Sequence, residues 1–140
     1  MSRGATHPNG LANSRYLAVA WALLVFFRLA LAVAPYRLVS RILPDSQGEA
    51  APPWAQARAR WAIGRAAPTA FRATCLPQAM ATKMLLALQG YSSWIRIGVR
   101  RGDNGAIQAH AWVLAGDKVV VGDDERLDSF STLTDLRRTR

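Results

Sequence analysis

The chain has 140 residues, 51% hydrophobic and 19% charged, which predicts one domain with one core and excludes an intrinsically disordered chain. Its single cysteine, Cys75, excludes an internal disulfide framework and a cysteine-cluster zinc site, and the only histidines are His7 and His110. Basic residues outnumber acidic ones 18 to 9, with a net charge of +7 over residues 1–72 and +2 over residues 73–140. A basic front half attracts nucleic acid, anionic lipid or an acidic peptide. The arginines are spread singly and no nucleic-acid-binding fingerprint accompanies them, so no nucleic-acid partner is expected.

Residues 1–13 are small, polar and turn-rich and read as a flexible tail; His7 beside Pro8 is given no role. From Ser14 to Leu43 the spacing is helical, and the run Leu17–Phe27 is wholly apolar before Arg28 interrupts it. The uninterrupted run is shorter than the ~18 residues of a spanning helix, and no small-residue cleavage site follows it. It is therefore read as a buried or partner-facing helix, with membrane contact through residues 17–34 as the other use of that face. Pro35 ends or kinks it. Residues 44–53 (PDSQGEAAPP) form a linker by composition. A second helix is predicted over Trp54–Ala67, ended by Pro68, and a third from Cys75 to about Gln89, with Thr74 as its cap and Gly90 as its stop. After Gly90 the period changes to two. Trp94–Arg100 is a half-buried strand, RGDNG (101–105) a turn, and Ile107–Leu114 and Lys118–Val121 a hairpin about a tight turn at 115–117. Residues 131–140 are predicted to be a short basic tail with helical character. Helices followed by a small antiparallel sheet make an α+β fold, with residues 54–130 as its core.

Cys75 sits at a predicted helix start. A thiol ionises near pH ~8.5, and the free N–H groups and partial positive charge of a helix N-terminus favour the thiolate and can hold an oxyanion. Taken alone, a lone cysteine is as well read as a buried structural residue. His110 changes that balance. It lies mid-strand between Ala109 and Ala111, on the face shared by Gln108, Trp112 and Leu114, where an imidazole can accept a thiol proton. Such a base needs a third group to orient it. Counting by twos through Val119 and Val121 makes Asp123 the better orienter, with Asp124 pointing away unless a bulge intervenes. One cysteine and one histidine fall short of a metal-ligand set, and neither standard phosphate-loop spacing is present, so no metal or nucleotide cofactor is expected.

The segments CLPQAMATKMLLALQGYSSWIRIGVRR (75–101) and AHAWVLAGDKVVVGDD (109–124) resemble the leader peptidases of lasso peptide biosynthesis, the stand-alone counterpart of the C-terminal half of the lasso B protein. These belong to the transglutaminase-like superfamily, whose fold is a papain-like cysteine protease core. The resemblance covers about residues 54–128. It departs from the family at Leu114, where a Glu commonly stands, and at a hairpin one residue longer around Gly116-Asp117-Lys118. What it implies is a Cys75–His110–Asp123 cysteine protease that cuts a ribosomally made precursor peptide at its leader–core junction. A threonine near the leader's end would be the specificity determinant. We assign Trp112 and Gln78 of the matching segments to substrate binding. The resemblance also implies a leader-recognition protein acting in trans and an ATP-dependent cyclase of the asparagine-synthetase type. The apolar face of Leu17–Ala34, including Leu24 and Phe27, is a candidate docking surface for the adaptor or leader. Acyl transfer to an amine, with the same triad, is the alternative reaction, and a basic membrane-associated scaffold the alternative without catalysis. The free thiol and the lack of an export signal point to the cytoplasm.

Overall fold

The computed structural model describes residues 10–44, 48–70, 74–123 and 127–136. Helix α1 spans Gly10–Val33, α2 Tyr36–Val39, α3 Pro53–Ala66 and α4 Cys75–Leu88. Strands β1 (Trp94–Arg101), β2 (Ile107–Ala115), β3 (Lys118–Val121) and β4 (Ser131–Leu136) form one antiparallel sheet in the order β3-β2-β1-β4. Pro35 marks the break between α1 and α2, as its fixed φ and missing N–H require. Gly90, at φ +88, stops α4, and the Tyr91 N–H returns to the Leu86 carbonyl at 3.0 Å.

Helix α1 is a core element. It packs on α3 and α4, and Ala20, Leu24 and Phe27 are fully buried there. The inner face expected to serve as a docking surface is therefore occupied by the protein itself, because α3 is too rich in alanine to close a core without a bulky neighbour. Aspartate at Leu24 or Phe27 would strand a charge in that core. The compositional linker is also partly docked: Ala51 is buried, and Ser92 N–H donates to the Glu49 carbonyl at 2.8 Å.

Two further expectations are corrected. The helix begins at Gly10 rather than Ser14. The predicted C-terminal tail is a strand through Leu136, because the edge of β1 offers unpaired backbone groups that Ser131–Leu136 satisfies. Thr74 occupies the cap position of α4, but its side chain makes no capping hydrogen bond.

Between the helices and the sheet, Lys83 is buried and donates from Nζ to the Ser93 carbonyl, tying α4 to the entry of β1. This tie and the packing of α4 on β2 hold the first turn of α4 against the middle of β2.

Candidate active site

The first turn of α4 and the centre of β2 meet at a cleft of about 360 Å³ lined by Thr74, Cys75, Gln78, His110, Val121 and Gly122. Cys75 is partly buried and in no disulfide, and His110 is 8% exposed. No hydrogen bond joins Sγ to the ring; such bonds commonly tighten only when substrate closes the site. Gln78 lines this cleft, one turn along α4 from Cys75.

The imidazole is held on two sides. Its Nε2 lies 2.7 Å from the Gly122 carbonyl oxygen, which can only accept, so Nε2 carries the proton and the lone pair of the neutral ring belongs to Nδ1. Its faces lie beside Trp112, at a centroid distance of 5.7 Å and an interplanar angle of 26°, and Phe130, at 5.4 Å and 30°. These rings fit because Gly98 is directly opposite His110 in β1: a Cβ there would lie 2.9 Å from both Phe130 and Trp112. Trp112 is thus buried beside the histidine and does not line the cleft, which corrects its assignment to substrate binding. A second concavity of about 340 Å³ is lined by Arg100, Gln108, His110 and Phe130.

Asp123 is not brought onto His110. Its carboxylate is clamped by Arg60 of α3 through two hydrogen bonds of 2.8 and 3.0 Å. Counting by twos fails for two physical reasons. The β2–β3 register shifts between Val113 and Leu114, leaving Val120 as an extra residue, and Gly122 then turns the chain at φ +99. Asp124, the other orienter considered, lies outside the described residues.

One oxygen that holds the ring is thus a main-chain carbonyl, and the Arg60–Asp123 pair fastens the next residue to α3. The glycine is required by closeness as well as by φ, since a Cβ on Gly122 would lie 2.5 Å from Trp112 Cβ. The sequence carried a signal for Gly122, an isolated glycine closing an apolar strand. It carried none for Arg60 or Phe130, which reach the site only through the tertiary fold. Among the described residues no cluster of three or more potential metal ligands exists.

A thiol at a helix N-terminus that lines the same open cleft as a tautomer-fixed imidazole is suited to nucleophilic attack on an acyl carbon. The family profile of the transglutaminase-like superfamily matches residues 20–135, and the chain belongs to that superfamily. Its members are usually enzymes, cysteine proteases or transglutaminases. The match begins inside α1, in keeping with a helix built into the domain. The chain matches none of the curated proteins and none of the solved structures compared with it.

Proposed function

We propose that the protein is a cysteine peptidase that removes the leader from a ribosomally synthesised lasso precursor peptide. The observation that carries the chemistry is the shared cleft of Cys75 and His110, with the histidine tautomer fixed by the Gly122 carbonyl. The lasso assignment rests on the resemblance of residues 75–101 and 109–124 to the leader peptidases.

In this reading His110 Nδ1 takes the Cys75 proton and Sγ adds to the carbonyl carbon at the leader–core junction. The backbone N–H of Cys75, free at the start of α4, faces the developing oxyanion. The C–N bond breaks as His110 returns the proton to the leaving amine, and the acyl group remains as a thioester. Water, deprotonated by the same nitrogen, then releases a free carboxylate and restores the thiol. No cofactor enters this sequence. The cleft is small beside a peptide leader, so affinity is borrowed from a leader-recognition protein in trans, which raises the local substrate concentration. An ATP-dependent cyclase takes the released core. A free thiol fits a reducing compartment, and we place the protein in the cytoplasm.

The test is incubation of the precursor peptide with this protein and the leader-recognition protein, followed by mass spectrometry. Hydrolysis gives two fragments whose masses sum to the precursor plus one water. A product joined to an added amine, with no free carboxylate, would assign the site to acyl transfer instead. Retention of full processing by Cys75→Ala would remove it from catalysis.

A further inference from the structure

We infer that the outward face of α1 seats the protein on an anionic bilayer, with the helix lying in the plane of the surface. Opposite the core-facing residues, Ala18, Val19, Ala22, Phe26, Leu29 and Val33 form an exposed strip, with Phe26 at 50%, Leu29 at 51% and Val33 at 87% exposure. At the rise of an α-helix this strip is ~22 Å long. Its polar residues are confined to one end, at Ser14 and Arg15. Beyond Pro35 the apolar surface resumes at Leu38 and Ile42, both about half exposed, and Arg37 and Arg41 stand exposed among them. Residues 10–43 carry four arginines and no acidic residue.

Those features select the occupant. An apolar ridge framed by cations is what an interfacial helix presents to anionic headgroups, its side chains reaching the acyl boundary while the arginines stay among the phosphates. A second copy of this chain fits poorly. Antiparallel pairing of the strip would set Arg15 against Arg37 and Arg41 of the other copy, and parallel pairing would set Arg15 against Arg15. A protein partner normally satisfies hydrogen bonds across its interface, and this ridge offers none along its apolar length, whereas a lipid surface requires none. By length and composition Asn13–Val33 could cross a membrane, with a mean hydropathy of 2.2. Spanning would pull Ala20, Leu24 and Phe27 out of the core; lying flat uses only the face already open.

The experiment is sedimentation of the full-length protein with vesicles of phosphatidylcholine, with and without phosphatidylglycerol. The expected result is binding to the anionic vesicles at least ~10-fold tighter than to the neutral ones, weakened by added salt. Leu29→Gln/Val33→Gln should lose this binding, and Arg15→Gln/Arg37→Gln should reduce it about 30-fold. Circular dichroism should show both variants folded, because all four positions are exposed. The inference is overturned if the wild type does not sediment with anionic vesicles, or if Leu29→Gln/Val33→Gln sediments as the wild type does. It is equally overturned if the strip proves to be a protein interface: a dimer, or a complex with the leader-recognition protein, that this double variant abolishes while vesicles remain unbound. Peptidase activity does not enter the readout, so the result stands apart from the proposed function.

Discussion

Substituting Gly122 by alanine tests the local geometry on which the His110 arrangement depends. Two costs add at this position. Gly122 has φ +99, where an L-residue costs ~1–2 kcal/mol. Its new Cβ would also lie 2.5 Å from Trp112 Cβ and 2.8 Å from Trp112 Cα, backbone-level contacts that no side-chain rotation relieves. Overpacking of this kind adds ~1–3 kcal/mol, giving roughly 2–5 kcal/mol in all. With an unfolding entropy near ~2.1 cal/mol/K per residue, this corresponds to a fall in Tm of about 7–17 °C. Gly105 is the control: its φ is +83, but nothing lies within 4 Å of a Cβ built there. Gly105→Ala should therefore incur only the backbone cost, a fall of about 3–7 °C. Thermal unfolding followed by circular dichroism measures both variants under one condition. If they lose the same stability, Gly122 is not packed on Trp112, and its carbonyl is not held where it meets Nε2 of His110.

Other expectations follow from the same contacts. Arg60→Ala releases the clamp on Asp123; both side chains are substantially exposed, so thermal unfolding should show a loss of only ~0–1 kcal/mol. The precursor-cleavage assay should nevertheless show kcat falling, by up to about 10²-fold, because the turn carrying the Gly122 carbonyl is no longer fixed; unchanged kcat would detach Arg60 from the site. Tyr16→Phe should raise stability at neutral pH by about 1 kcal/mol in urea unfolding, since the Tyr16 hydroxyl is buried without a hydrogen-bond partner while Arg58 keeps its place over the ring. Burial pushes the Tyr16 phenol up to about 12 from 10.0, against the opposing pull of Arg58. The unfolded chain therefore loses that proton first, and wild-type stability should fall as pH rises from 10 toward 12, more steeply than that of Tyr16→Phe.

The parts of the fold read correctly from sequence are those written in local chemistry. The run from Thr74 to Gly90 carried its own start, apolar stripe and stop, and α4 runs from Cys75 to Leu88 between them. Alternation in Trp94–Arg100 and the tight turn read at Ala115–Asp117 placed β1, β2 and β3 to within a residue. What was not legible depends on distant partners. Ser131–Leu136 is a strand only because β1 has a free edge. The outward and inward faces of α1 are both apolar, so periodicity could not show which one the domain covers; the exposures of Leu24 and Val33 separate them. At the site, the types and order of Cys75 and His110 were readable, whereas the Gly122 carbonyl that meets Nε2 of His110 was not. A single extra residue at Val120 and a left-handed glycine move Asp123 from His110 to Arg60. Side-chain counting cannot register a backbone carbonyl as a functional group.

The central claim is that His110 activates Cys75, and the most direct measurement is the rate at which iodoacetamide alkylates Cys75 at neutral pH, followed by intact mass in the wild type and in His110→Ala. Removal of the imidazole that takes the thiol proton should slow alkylation by about tenfold or more while circular dichroism shows the same fold. Equal rates in the two proteins would contradict the account and leave Cys75 an ordinary thiol.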